Sequence, residues 1–139
     1  MKYNYIINNI EDIIGENVDY NKFVNITDSS LAAEDLKGLG IIEDTKTKFH
    51  RITFCSDEKN LAQCDYMLFT NENIGYISDI DIHEDIRGNG IGTEVRQYAI
   101  EDLNVDKIYS YPTNNIIKHI CIKQGFEPSN VNKSWYVKK

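Results

Sequence analysis

Cysteine, proline and histidine are scarce in this chain of 139 residues, at three, two and three. Cys55, Cys64 and Cys121 form an odd set without a Cys-x-x-Cys pair, which argues against a disulfide framework and against a zinc site. His50, His83 and His119 show no metal-ligand spacing, so no metal is expected. No apolar run approaches the ~20 residues that cross a bilayer. The opening Met1-Lys2-Tyr3-Asn4-Tyr5 is too polar for a signal peptide. These absences lead to the expectation of a soluble protein of a reducing, cytoplasmic setting, with no membrane partner. Positive charge is also short: 15 Lys and Arg face 22 Asp and Glu, for a net charge of −7. Such a surface disfavours nucleic acid and suits a cationic acceptor such as an amine. With 41% hydrophobic and 27% charged residues, and no repeat or linker, residues 1–139 read as one globular domain.

What is present is a glycine turn, Arg87-Gly88-Asn89-Gly90-Ile91-Gly92-Thr93. An apolar-alternating run from Ile74 to Ile82 precedes it. After it, Ile91, Val95, Tyr98, Ala99 and Leu103 recur at helical steps of three and four. The glycines therefore lie between a strand and a helix. They permit a tight bend and leave backbone N–H groups uncovered, beside the unpaired donors and positive dipole end of the helix. That is an anion site, most naturally for phosphate. The spacing Gly-x-Gly-x-Gly is not the dinucleotide fingerprint. The nucleotide-triphosphate loop also fails, because no lysine separates Gly92 from Thr93. Arg87, Arg96, Lys118 and Lys123 supply local positive charge against an anionic ligand.

In chain order, Tyr3 to Ile7 reads as a strand, and Ile10, Ile13 and Ile14 as a helical stretch stopped by Gly15. Asp19 to Ile26 is ambiguous, with Phe23, Val24 and Ile26 able to line a short helix. Ser29 or Ser30 caps a helix from Leu31 to Lys37. Phe49–Cys55, Ala62–Phe69 and Ile74–Ile82 read as three strands joined by short polar turns, an antiparallel meander. The helix to Leu103 leads to a strand from Lys107 to Tyr111, which implies a parallel pair. Asn114 caps a helix from Asn115 to Lys123, ended by Gly125, and Ser134 to Val137 forms a last strand.

Two segments resemble the GNAT superfamily of N-acetyltransferases. Arg87-x-x-Gly90-x-Gly92 is similar to its pyrophosphate-binding signature, and Asp79–Arg87 to its Leu-x-Val-x-Pro-x-x-Arg approach, with Ile80 and Ile82 in the apolar places. Farther on, Asn114-x-x-Ile117-x-x-Ile120-Cys121-x-x-x-Gly125-Phe126 is similar to its Asn-x-x-Ala-x-x-Phe-Tyr-x-x-x-Gly-Phe segment. The likeness covers Ile74 to Phe126, about half the chain. It implies a mixed α/β fold in which helices flank a mostly antiparallel sheet. It also implies a site for acetyl-coenzyme A at the strand–glycine turn–helix unit.

The resemblance further implies acetyl transfer to a primary amine of a small molecule or a protein. Ile80, Ile82, Arg87, Gly88, Asn89, Gly90, Ile91, Gly92, Thr93 and Asn114 then become the coenzyme contacts. Asn114 has helix capping as its competing role. The backbone near Ile82 becomes the donor to the oxyanion, and the sheet is expected to splay beside it. Asp79 and Asp81 alternate with the isoleucines, share one face of the strand, and are the candidate bases. His83 ranks below them. Cys121 stands where the family often has a tyrosine, taken as the acid for the departing thiolate; a small buried residue is the favoured reading. Tyr109 and Tyr111 are the possible substitutes. A silent acyl-coenzyme A-binding module is the alternative function. The oligomer, a homodimer included, is left open.

Overall fold

The computed structural model describes residues 2–139, with the side chains of Lys2 and Asp79 outside the description. Helix α1 spans Lys2–Ile14. This corrects the reading of a strand at Tyr3 to Ile7. The segment buries Ile6 and Ile10 and packs Tyr3, Ile7 and Ile14 against the same core, a three-and-four spacing that only a helix satisfies. Gly15, at φ 71°, ends it as expected. Strand β1, Asp19–Thr27, replaces the short helix considered there. Helix α2 follows at Leu31–Gly38, where the Ser30 hydroxyl accepts from the Ala33 N–H at 3.1 Å.

The meander is formed by β2 (Thr47–Ser56), β3 (Lys59–Phe69) and β4 (Ile74–Ile82). A single 3₁₀ turn, Glu84–Ile86, leads into the glycine turn and α3, Ile91–Leu103. Then come β5 (Lys107–Ser110), α4 (Asn115–Lys123), β6 (Glu127–Pro128) and β7 (Tyr136–Lys138). All seven strands join one sheet in the order β1-β2-β3-β4-β5-β7-β6, and only β4 and β5 run parallel. The fold is thus the mixed, mostly antiparallel α/β arrangement expected.

Alternation along the strands builds two cores. Ile77 and Ile108 join α1, α3 and α4 on one face, whereas Tyr76 and Tyr109, one residue away, join Ala33 and Leu36 of α2 on the other. Helix α1 is tied to α3 by the Asn9 amide, which donates to both Glu94 carboxylate oxygens at 2.9 and 3.0 Å.

One buried polar group on the first face yields a pH test. His50 stacks on Tyr66 with ring centroids 4.8 Å apart, and its Nδ1 is buried without a hydrogen-bond partner. Burial holds the imidazole below its ordinary value, and the nearby Lys22 cation adds to this. An imidazole lowered on folding contributes stability above the unfolded value of about 6.5, and that stability is lost as pH falls below it. His50→Phe keeps the stack and removes the titration. Its melting temperature should fall less than the parent's between pH 7 and pH 5. Parallel curves for the two proteins would rule His50 out as the source of the acid sensitivity. A further loss, at pH below the ordinary aspartate value of about 3.9, belongs to Asp102. Burial opposes ionisation of its carboxyl, but hydrogen bonds from Lys22 and Tyr66, both 2.7 Å, prevail and hold it low.

Candidate functional site

The site forms where β4 and β5 part. Their ladder runs from Ile74↔Lys107 to Ile77↔Ser110, and β4 then continues to Ile82 while β5 ends. A β-bulge sets this up. Ser78 and Asp79 together oppose the single residue Asp65, which kinks β4 at the point of separation. The Ser78 hydroxyl donates to the Asp65 carbonyl at 2.8 Å and fixes the kink. The result is a forked opening about 16 Å long from Ile77 to Ile82, at the rise of a strand.

Backbone groups point into that opening. The His83 N–H donates to the Leu61 carbonyl of β3 at 2.8 Å. Backbone directions alternate along a strand, so the N–H and C=O of Ile82 face away from β3, into the fork; Ile80, in register two residues earlier, does the same. The Ile82 carbonyl is taken by Arg87 Nε at 2.9 Å. Arg87 therefore orders the turn through this bond. The Ile82 and Ile80 N–H groups point into the opening.

The glycine turn closes the wide end of the fork. Gly88 and Gly90 have φ of 78° and 76°, a left-handed conformation that a side chain makes costly. Gly90 is the N-cap of α3 and offers no side-chain cap bond, so the helix's first N–H groups stay open. Asn89 braces the bend by donating to the Ile86 and Arg87 carbonyls at 3.2 and 3.0 Å. Gly92 serves a different end: a Cβ there would lie 2.5 Å from Ile80 Cδ1, so its absence lets α3 approach β4. The same contact shows Ile80 facing α3, as expected.

These parts enclose a cleft of ≈ 460 Å³, lined by the turn, by Ile80, Asp81 and Ile82 of β4, and by Ile116, Ile117 and Ile120 of α4. Of the residues expected to meet a coenzyme, Ile80, Ile82, Arg87, Gly88, Gly90, Ile91, Gly92 and Thr93 line it together. Asn89 holds the turn from behind. Asn114 caps α4, its Oδ1 accepting from the Ile117 N–H at 2.9 Å, and is not among the lining residues.

Asp81 pairs with Gln63 and lies on the face opposite Ile80. It borders both the cleft and a second, polar pocket of ≈ 350 Å³ with Asn60, Ile82, His83, Glu84 and Arg87. The Asp79 side chain lies outside the described residues. His83 is already engaged: its Nδ1 accepts from the Asp85 N–H at 3.1 Å.

Cys121 turns away from the cleft. It is fully buried, accepts from Arg96 Nη2 at 3.3 Å, and directs its thiol toward the Ser110 hydroxyl at 3.8 Å. The small buried residue favoured from sequence is what is seen. Of the two substitutes, Tyr109 is buried in the α2-side core, where burial pushes its phenol up. Tyr111 is 43% exposed just past the apex of the fork, its ring edge-on to Trp135 at 5.1 Å. Arg96, expected as a basic group available to an anionic ligand, is instead fully buried. Its sequence signal was its place three residues before Ala99 and four before Ile100, on the apolar stripe of α3.

The fold is shared with solved acyltransferases. An acyl-CoA N-acyltransferase from Pseudomonas aeruginosa is 14% identical, with 88% of this chain and 100% of that chain covered and a TM-score of 0.57. Escherichia coli ElaA is 11% identical over 88% and 99% of the two chains, again with a TM-score of 0.57. The PaiA N-acetyltransferase of Thermoplasma acidophilum, in complex with coenzyme A, is 13% identical over 78% and 68%, with a TM-score of 0.53. No protein-family model and no curated protein sequence matches the chain. The fold, with its forked sheet and glycine turn, is that of the GNAT acetyltransferases.

Proposed function

We propose that this single domain is an acetyl-coenzyme A-dependent N-acetyltransferase acting on a primary amine of a small molecule or protein. The observation that carries the reading is the cleft itself. One end presents open helix N–H groups to a pyrophosphate; the other is a fork whose backbone donors and acceptors match an extended pantetheine arm. Amine attack requires a free lone pair, so a proton must leave first. Asp81, on the side away from α3, is the candidate base, directly or through water, with Asp79 beside it in sequence. Nitrogen then bonds the thioester carbon, and the Ile80 and Ile82 N–H groups stabilise the oxyanion. Collapse breaks the C–S bond, whose electron pair leaves on sulfur; the nitrogen gives its second proton to solvent, and the thiolate takes one from solvent. The product is an amide and a coenzyme thiol. No described helix is long and apolar enough to cross a membrane; a cytoplasmic site of action, away from nucleic acid, agrees with the acidic surface.

The burial of Cys121 at the family's tyrosine place keeps one other reading: a silent acyl-coenzyme A-binding module. A single pair of measurements separates them. Acetyl-coenzyme A should raise the melting temperature, since it binds the native chain alone, and thiol release should depend on acceptor across an amine panel that includes lysine peptides. Stabilisation without acceptor-dependent release supports the silent module. A shift with nucleotide triphosphates and none with acetyl-coenzyme A sinks both.

A further inference from the structure

Arg96 is a buried cation that the proposed chemistry leaves unused. It sits on the second turn of α3 with 0% of its surface exposed. Nη2 donates to Cys121 Sγ at 3.3 Å and Nε to Gln124 Oε1 at 3.1 Å, while the guanidinium carbon lies 5.4 Å from the Phe126 ring centre. Nη1 has no hydrogen-bond partner. Gln124 is itself held by the Thr93 carbonyl at 3.1 Å, and Lys138 Nζ donates to its backbone carbonyl at 2.8 Å. Among the described residues no carboxylate meets the guanidinium. Thiol, amide and aromatic ring surround it. A buried charge of this kind costs stability that an apolar side chain of similar size would spare. Packing alone does not explain a positive charge here.

Its place supplies a use. The hydrogen bonds run from Arg96 to Cys121 and from Cys121 to Ser110. Ser110 is the last β5 residue in the ladder with β4, opposite Ile77, so the chain ends at the apex of the fork. A pantetheine arm anchored at the glycine turn runs past Ile82 and Ile80 and can go no deeper than that apex. Its sulfur would then end near Ser110, which is fully buried and closes the apex, with Arg96 on the far side of Cys121.

Resting on the acetyl-transfer reading, we propose that Arg96 is a positioning residue whose buried charge, held behind the apex through Cys121 and Ser110, stabilises the thiolate that departs from the coenzyme. When the C–S bond breaks, the electron pair moves to sulfur, and in a low-dielectric surrounding the uncompensated cation offsets that charge. The sulfur later takes its proton from solvent. Arg96 itself transfers nothing.

The test reads the bound product. Coenzyme A is titrated on the protein, and its thiolate is followed by ultraviolet absorbance with the coenzyme-free protein subtracted. A free thiol ionises near pH 8.5. In the parent the bound thiol should titrate about one unit or more below its value in Arg96→Met, as expected for a nearby opposite charge. Arg96→Lys should keep much of the shift. Arg96→Gln, neutral but still hydrogen-bonding, should lose it like Arg96→Met and serves if the latter does not fold. Acetyl transfer should follow, with kcat lowered about tenfold in the neutral variants and the coenzyme KM little changed. Coenzyme binding in all variants with one common thiol titration overturns the role of Arg96 and leaves the transferase reading intact. Absence of coenzyme binding in the parent overturns both.

Discussion

Gly90→Val is expected to weaken coenzyme A binding by about tenfold or more while the protein stays folded. Gly90 has φ 76°, where a side chain costs about 1–2 kcal/mol. That is a drop of several degrees in melting temperature, not loss of the fold. A Cβ at this position would meet nothing within 4 Å. Gly90 lines the cleft beside the open N–H groups at the start of α3, on the path a pyrophosphate would take. The isopropyl group would stand in it. Calorimetric titration with coenzyme A beside a melting curve checks the result. An unchanged affinity in a folded variant would remove the turn from the site. Gly92→Ala is a useful contrast, since its methyl group would press on Ile80 Cδ1 and act through the packing of α3 on β4.

The turn was legible because its signal is local. Glycine spacing, the alternating run before it and the helical stripe after it all lie within thirty residues, and β4, α3, β5 and α4 fall where that pattern puts them. The first third was not legible, for two physical reasons. In α1, Tyr3, Tyr5 and Ile7 mimic a strand, since aromatic and β-branched residues favour strands. Only the burial of Ile6 and Ile10 against α3 and the sheet makes the helix win. In β1 the opposite occurs. It is an edge strand, with Phe23, Val24 and Ile26 all exposed, so neither face is selected and the alternation that marks a strand is absent.

Two features of the site depend on long-range structure. The bulge at Ser78 and Asp79 exists because β3 offers one residue against two, and nothing in the β4 sequence announces it. It kinks β4 where the fork opens. Arg96, from sequence, was one of several basic groups available to a coenzyme. Its burial follows from α4, which brings Cys121 and Gln124 to it from 25 and 28 residues away.

That same packing decides the largest expected effect on stability. Cys121→Tyr restores the residue that the family often carries, and a gain in turnover would follow if a missing acid limited the reaction and the ring had room. The structure leaves no room. Cys121 is fully buried, with the Arg96 guanidinium 3.3 Å from its sulfur and Ser110 3.8 Å away. A phenol ring grown from this position enters the volume of the guanidinium. Overpacking costs about 1–3 kcal/mol, and displacing a buried cation from Cys121 and Gln124 adds to that. The variant should melt about 10 °C or more below the parent, with turnover no higher. Cys121→Ser, whose hydroxyl still offers Arg96 Nη2 an acceptor, should keep most of its rate and lose about 1 kcal/mol. The cause can be isolated by a double-mutant cycle with Arg96→Ala. Removing the guanidinium should cost less stability in the Cys121→Tyr background than in the parent, because it frees the volume that the ring needs. Additive losses would mean that ring and guanidinium do not compete. A parent-like melting temperature for Cys121→Tyr with raised turnover would show that the site accepts the tyrosine and had lacked an acid.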